Sequence, residues 1–232
     1  MLRVLYEDNH LIAVAKPAGL ATMGARAGEP SLLEQAKEHV KQKYNKPGNV
    51  YLGVVSRLDK PVTGVVLFAR TSKAAARLTE AFGSGGVDKR YLACVSGQAT
   101  SEETTLVHHL RKDDANQRMV ASPRPSDDSQ QAELRYRALS STPETSLLEV
   151  KLLTGRKHQI RVQLAKEGLP ILGDHKYGPG RGVTREIALH AWRLELKHPV
   201  RDEMVKLEAP PPDSWRKRYG SWAGDALDRL SE

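Results

Sequence analysis

The run Val65-Val66-Leu67-Phe68-Ala69 constrains this chain more than any other stretch. It is apolar throughout and rich in β-branched residues, with Gly64 before it and Thr71-Ser72 just beyond it. A run of that length and composition predicts a buried strand. The nine residues leading into it, Ser56-Arg57-Leu58-Asp59-Lys60-Pro61-Val62-Thr63-Gly64, are of a different kind. They place Arg57, Asp59 and Lys60 within a few residues of a core strand, beside a proline and a glycine. Charges so close to an apolar interior are costly unless they are paired or used. Taken alone, the segment reads first as a polar loop holding a structural Arg57–Asp59 pair.

The chain has 232 residues, enough for one large domain or two small ones, and its apolar fraction of 39% predicts a real core. No run of apolar residues is long enough for a membrane span. The start, Met1-Leu2-Arg3-Val4-Leu5-Tyr6-Glu7-Asp8, has neither the basic region nor the apolar core of a secretory signal. A cytoplasmic protein is the expectation. The single cysteine, Cys94, excludes an internal disulfide and any zinc site built on several thiolates. It lies within the strand-like run Tyr91-Leu92-Ala93-Cys94-Val95, where a buried, inert thiol is expected. Lys and Arg outnumber Asp and Glu by 36 to 28, and the pI is about 9.6. That balance suits a polyanionic partner. With only 5% aromatic residues, a stacking platform for single strands is not the main device expected.

Along the chain, residues 2 to 6 and 11 to 15 are short apolar segments around Glu7-Asp8-Asn9-His10, which predicts a hairpin. Ser31 and Glu34 have capping-box spacing and predict a helix to about Tyr44, with Leu32, Leu33, Ala36 and Val40 inward. A second helix is expected after a cap at Thr71 or Ser72, burying Ala74, Leu78 and Phe82 and closing at Gly83. Gly83-Ser84-Gly85-Gly86 lacks the Lys-Ser/Thr of a phosphate loop. Residues 111 to 131 read as an exposed excursion, in the form of a hairpin. Ala132, Leu134, Tyr136 and Ala138 alternate with Glu133, Arg135 and Arg137, and residues 148 to 152 alternate too. Both patterns predict antiparallel strands with one wet face. Arg156 to Lys166 reads as a helix with Ile160 and Leu164 inward, and with Lys157 and Arg161 sharing a neighbouring face. Pro210-Pro211-Pro212 opens a tail expected to pack loosely. Few helices among many antiparallel strands give an α+β fold, with a mixed, mainly antiparallel sheet and flanking helices. Residues 1–209 are expected to form the domain and 210–232 the tail.

Three polar clusters border apolar structure: Arg57/Asp59, Lys89-Arg90-Tyr91, and Arg156-Lys157-His158-Gln159-Ile160-Arg161. Cations at a helix start add to the dipole and favour an anion such as phosphate or carboxylate, although a solvated basic face accounts for the third cluster equally well. His108, His109, His175 and His190 are too scattered to suggest a metal site, and none is expected.

These clusters fall in a recognisable order. Ser56-Arg57-Leu58-Asp59 with Thr63-Gly64 resembles the His-Arg-Leu-Asp signature of the RluA-type pseudouridine synthases. Asp8 to Gly19, ending Lys16-Pro17-Ala18-Gly19, resembles the family's K-P-x-G opening. Lys89-Arg90-Tyr91 is similar to its Lys-x-Tyr element, and Leu153 to Val162 to its T-G-R-x-H-Q-I-R motif. Gly173-Asp174-His175-Lys176-Tyr177-Gly178 and Leu189-His190-Ala191 complete the set, over roughly residues 2 to 200. Two positions depart from the pattern: Ser56 and Gln163 stand where the family usually has histidine. The opening motif begins almost at Met1, so a stand-alone catalytic domain without an N-terminal S4-type module is expected.

The resemblance implies an isomerase of RNA that breaks the N1–C1′ bond of a uridine, turns the uracil and rejoins it through C5. It implies no cofactor and no metal. Asp59 would be the nucleophile, on the sugar or on the ring, which a carboxylate manages only when ionised and aimed. Arg161 would pair with it, and Tyr91 would stack on the base and take part in removing the C5 proton. The target uridine must leave its stack, and Arg57 is a candidate to fill the space. Arg156, Lys157 and His158 are candidates for phosphate or base contacts. The partner would be a structured rRNA or tRNA, with no membrane and no protein partner, and the chain would be a monomer. Two other classes are weighed. One is a catalytically inactive RNA-binding or assembly factor of the same fold. The other is an unrelated hydrolase using Asp59 with a histidine, which no Ser or Cys elbow and no metal spacing supports.

Overall fold

The computed structural model describes residues 2–24, 28–179 and 185–230. In chain order the elements are β1 (Arg3–Glu7), β2 (Leu11–Lys16), α1 (Leu32–Lys43), β3 (Gly53–Val54), β4 (Thr63–Ala69) and α2 (Ser72–Gly83). Then come β5 (Val87–Ser96), β6 (Thr104–Asp113), β7 (Arg118–Ser122), β8 (Gln130–Ser141) and β9 (Thr145–Leu152). They are followed by α3 (Gln159–Lys166), β10 (Leu189–Lys197), β11 (Met204–Glu208) and α4 (Asp213–Arg229). The chain forms two compact units. The first holds residues 1–88 and 191–209, the second 89–190 and 210–232. No helix among the described residues is long and apolar enough to cross a membrane.

In the first unit the strand order is β1-β2-β4-β10, with β3 on β4 and β11 on β10. The pairs β1/β2, β2/β4, β3/β4 and β10/β11 are antiparallel. The apolar run is β4, buried at every residue. Its composition follows from its position, because both faces of this sheet are covered. Val66 and Phe68, with Ile12 and Val14 of β2, pack on Leu32, Ala36 and Val40 of α1. Val65, Leu67, Leu11 and Ala13 pack on Ala74 and Leu78 of α2 and on Leu194 and Leu207. Alternate residues therefore feed opposite cores. Each fully buried aliphatic or aromatic side chain contributes about 1.5–3 kcal/mol from the area removed from water.

The local signals act as expected. Ser31 Oγ accepts from Glu34 N while the Glu34 carboxylate accepts from Ser31 N, a complete capping box. Thr71 caps α2 through Ala74 N. Gly64 has a local reason to be glycine. Its φ is +117°, and a Cβ there would lie 2.2 Å from the Ala191 carbonyl oxygen. Any side chain would drive β4 away from β10.

The second unit has the order β5-β9-β8-β6-β7 with every one of these pairs antiparallel. The alternation read in 132–138 is real: Ala132, Leu134 and Tyr136 are buried, and Arg135 and Arg137 are exposed. The excursion expected over 111–131 is the β6–β7 hairpin and its return to β8. Helix α3 covers one face, with Val162 packed on Leu110, Ala121 and Ala132. Cys94 is fully buried, and burial pushes its thiol far above the usual range.

Two expectations differ from the structure. The helix read from Arg156 begins only at Gln159, because His158 takes a left-handed conformation, φ 55°. Lys157 therefore lies outside α3, and Arg161 is buried rather than on a shared exposed face. The segment after Pro210-Pro211-Pro212 is not loosely packed. It forms α4, which buries Trp215, Ala223, Ala226 and Leu227 and belongs to the second unit. The rings of Trp215, Tyr219 and Trp222 follow one another along it, and Ser140 Oγ donates to the Trp222 carbonyl at 2.8 Å.

Candidate active site

The residues singled out from the sequence fall in both units: Arg57 and Asp59 in the first, Tyr91, Arg156, Lys157, His158 and Arg161 in the second.

Asp59 sits on the loop between β3 and β4, half-buried, with Arg57 exposed two residues before it. The backbone on either side of Asp59 is pinned. Thr22 Oγ1 donates to Leu58 O at 2.9 Å and accepts from Leu58 N at 3.1 Å. Gly19 N donates to Lys60 O at 2.8 Å, and Val62 N closes a turn onto Asp59 O at 3.0 Å. Beneath the loop lies Lys16, the last residue of β2 and only 2% exposed. Its ammonium donates to three backbone carbonyls, Pro17 at 3.0 Å, Leu20 at 2.8 Å and Lys60 at 3.1 Å. The K-P-x-G turn is thus tied to the Asp59 loop through one buried cation. Burial pushes the Lys16 ammonium from its ordinary 10.5 down to about 8, against the pull of the Asp59 carboxylate. Ser56, where the resemblance calls for histidine, stitches the loop to β4: its Oγ accepts from Leu67 N at 3.0 Å and donates to Leu67 O at 3.3 Å.

In the second unit Tyr91 lies on β5 opposite Val150 of β9, half-buried. Arg161 is 6% exposed on α3. It makes a two-pronged pair with Asp174, Nε to Oδ2 at 2.7 Å and Nη2 to Oδ1 at 2.9 Å. Its guanidinium also lies 5.1 Å from the centre of the Tyr177 ring. The Tyr177 hydroxyl accepts from Met119 N at 3.0 Å and shares a hydrogen bond with His158 Nδ1 at 2.7 Å. Gln159, buried at the start of α3, accepts from Thr154 Oγ1 and Arg156 N and donates to Glu133 O. That amide shapes the turn presenting Arg156 and Lys157, both exposed. Arg156 Nε donates to Gln131 O at 3.1 Å. Gln163, the second departure, is fully buried, its amide nitrogen among Leu106 O, His108 Nδ1 and Ala132 O.

The second unit therefore brings Arg161 and His158 together around Tyr177, with Arg156 and Lys157 on the preceding turn. Reading the sequence missed Lys16 and Thr22 as supports of the Asp59 loop, and Asp174 and Tyr177 as supports of Arg161. The motifs holding Lys16, Asp174 and Tyr177 were visible, but nothing local announces their partners.

The RNA pseudouridylate synthase family model matches residues 10–166. An RNA pseudouridine synthase of Bacillus subtilis is 32% identical over 213 residues, covering 91% of this chain and 69% of that protein. The ribosomal large subunit pseudouridine synthase D of Nitrosomonas europaea is 34% identical over 224 residues, covering 91% of this chain and 62% of that protein. This chain thus spans roughly two thirds of the length of these relatives. Among solved structures, human RNA pseudouridylate synthase domain containing 4 superposes with a TM-score of 0.76 at 26% identity, over 92% of this chain and 90% of that one. The matched span takes in the Asp59 loop, Tyr91 and all of α3, and on these grounds the chain belongs to the RNA pseudouridylate synthase family, RNA isomerases of the RluA type.

Proposed function

We propose that this chain converts one or more uridines of structured RNA to pseudouridine, with Asp59 as nucleophile and the target base turned out of its stack. Ribosomal RNA of the large subunit is the first candidate substrate, since several relatives carry that assignment in their names; transfer RNA is the second. The observation that carries the reading is the Asp59 loop. Half-buried Asp59 is flanked by two backbone carbonyls, Leu58 and Lys60, the first held by Thr22 just after the opening motif and the second by Lys16 within it. A nucleophile needs that fixity, because misplacement by about 1 Å costs on the order of a hundredfold in rate.

In this reading the Asp59 carboxylate attacks either C1′ or the uracil ring and the N1–C1′ bond breaks. The uracil turns, a C5–C1′ bond forms, the bond to Asp59 breaks and returns the free carboxylate, and the C5 proton leaves for solvent while N1 gains one. Atoms and electrons balance within the nucleoside, so no redox partner or energy source is called for. Tyr91 stacks on the base and takes part in removing the C5 proton. Arg161 supplies the cation that keeps Asp59 ionised and oriented. Arg57 occupies the place vacated by the flipped base, which offsets part of an unstacking cost of about a few kcal/mol. Arg156, Lys157 and His158 meet phosphates or base edges.

Asp59→Asn keeps the shape and removes the charge and the nucleophile. Tritium release from RNA labelled at uridine C5 is expected to vanish in this variant, with thermal stability retained. Release within tenfold of wild type would remove Asp59 from the mechanism. Wild-type protein that binds RNA without any release would point to an assembly factor.

A further inference from the structure

Strand β7 ends the strand order of the second unit, so among the described residues one of its edges has no strand beside it. An edge of that kind leaves backbone groups in need of partners. Here one turn, Asp174 to Gly178, supplies two of them. Met119 N donates to the Tyr177 hydroxyl at 3.0 Å, and the Lys176 ammonium donates to Gln117 O just ahead of the strand. A strand N–H points either at its neighbour strand or off the sheet. That of Met119 goes to Tyr177, so it points off the edge and away from β6. The β6–β7 hairpin is thus docked, close to its tip, on Lys176 and Tyr177.

The same turn grips Arg161. Asp174 takes the guanidinium by two prongs, and its Oδ1 also accepts from Lys176 N at 3.1 Å. Gly178 N donates to Asp174 O at 2.7 Å and closes the turn, which a Cβ at Gly178 would force open, since it would lie 2.8 Å from that oxygen. Asp174 holds the guanidinium by its edge, and the Tyr177 ring lies against its face. The His158 ring meets the Tyr177 ring edge-on, centres 5.6 Å apart. For the contact with Arg161 a phenylalanine would serve as well. Tyr177 also packs on the apolar cluster of Leu110, Ala121, Ala132 and Val162, where a hydroxyl is costly unless it is bonded. Its hydroxyl is bonded to the hairpin on one side and to the start of α3 on the other.

We propose that Tyr177 is a positioning residue through which the β6–β7 hairpin sets the orientation of Arg161. The Met119 bond fixes the hydroxyl, the hydroxyl fixes the ring, and the ring bounds the face of the guanidinium. Loss of that bond lets the ring move, and Arg161 is then held by Asp174 alone of these two. Orientation of a charged group beside a reacting carboxylate matters because small displacements cost rate. The inference rests on the reading of Arg161 as the cation that orients Asp59, and it extends that control to a hairpin with no part in the chemistry above.

The first readout needs no substrate. The Arg161 Nε–H, which donates to Asp174 Oδ2, is followed by NMR and assigned by its loss in Arg161→Lys. Tyr177→Phe keeps the ring and removes the hydroxyl. Met119→Pro removes the N–H on an edge strand, where proline is tolerated, and Met119→Ala keeps it, so their difference reads that N–H alone. Exchange of the Arg161 Nε–H with water is expected to quicken about tenfold in Tyr177→Phe, and about threefold in Met119→Pro relative to Met119→Ala. Tritium release from RNA labelled at uridine C5 should show kcat lower by about fivefold in Tyr177→Phe with KM held within about twofold, which marks lost orientation rather than lost binding. The double variant Tyr177→Phe/Met119→Pro is expected to match Tyr177→Phe, because the hydroxyl is the shared link. If Met119→Pro does not fold, backbone amide exchange of β7 in Tyr177→Phe takes its place and must quicken along with that of Arg161. Nε–H exchange in Tyr177→Phe within about twofold of wild type, an unchanged kcat, or effects that add in the double variant overturns the proposal. Quickened exchange beside a wild type that releases no tritium would leave this coupling standing and the catalytic reading fallen.

Discussion

Lys16 in the first unit and Arg161 in the second are both buried cations, 2% and 6% exposed, and they are satisfied in opposite ways. Lys16 donates to three neutral carbonyls. Arg161 is clamped by a carboxylate, Asp174, through two short hydrogen bonds. Carbonyls give an ammonium its hydrogen bonds but do not cancel its charge, so Lys16 keeps a field that the neighbouring Asp59 feels. A carboxylate grips a planar guanidinium through two directed hydrogen bonds, so Asp174 fixes the orientation of Arg161, which stays protonated throughout. One cation is therefore a tether that can titrate, and the other an anchor that cannot.

The largest effect expected from this difference is at Asp174. Asp174→Asn keeps the volume but turns one acceptor into a donor aimed at the guanidinium. It takes from Arg161 the carboxylate that holds it through two short hydrogen bonds. Breaking one side of a buried pair costs about 3–5 kcal/mol. Asp174 also accepts from Lys176 N at 3.1 Å, so the following turn loosens too. Urea unfolding should show a large drop in midpoint. A change below about 1 kcal/mol would mean that Asp174 is not what holds Arg161, and the contrast with Lys16 would fail.

Lys16 should behave in the reverse sense, with activity suffering more than stability. In Lys16→Met the three carbonyls lose their donor. Lys60 O keeps Gly19 N, however, and the Pro17 residue is exposed, so water can replace part of the loss. Removing a buried charge offsets most of the remainder. The Asp59 loop loses its tie to the K-P-x-G turn, and turnover is expected to fall about tenfold or more, as small misplacements of a reacting group do. Unfolding free energy should shift by less than about 1.5 kcal/mol. A variant that is fully active, or one that unfolds like Asp174→Asn, would erase the distinction.

The same contrast explains what was legible beforehand. Signals confined to a few residues read correctly: the capping box at Ser31 and Glu34, the cap at Thr71, the apolar run of β4 and the alternation in β8. Each depends on neighbours within four residues. Lys16 read only as a member of the K-P-x-G opening, because nothing local says that a lysine will be enclosed by carbonyls from positions 17, 20 and 60. Asp174 is thirteen residues beyond Arg161, and a chain reversal that brings them together has no local signature. The left-handed turn at His158, which shortens α3, likewise has no local signature, and the ring there meets Tyr177, nineteen residues on. Helix α4 is the exception, since its signal was present. Trp215, Tyr219 and Trp222 recur at helical spacing, but the three prolines ahead of them drew the reading toward a loose tail.

The smallest effect expected is also the sharpest test of Lys16 as a titrating tether. Its ammonium falls from 10.5 to about 8 in the folded chain, so between those values the unfolded chain binds the extra proton and the folded one does not. Stability contributed by this residue therefore rises with pH across that window, and the charge-burial cost of about 3 kcal/mol is fully present only below it. Activity should move the other way. A neutral amine has two N–H donors for three carbonyls and no field for Asp59, so turnover is expected to fall about threefold through an apparent pKa near 8. The comparison must be made against Lys16→Met, because the buried Cys94 thiol, also pushed up by burial, loses stability in the same alkaline range. Subtracting the two pH–stability curves isolates Lys16, and the difference should climb from about pH 8 toward 10. Lys16→Met should show a low rate that is flat across pH 8. An identical alkaline fall in both proteins would assign the titration elsewhere, and Lys16 would then be as fixed a charge as Arg161.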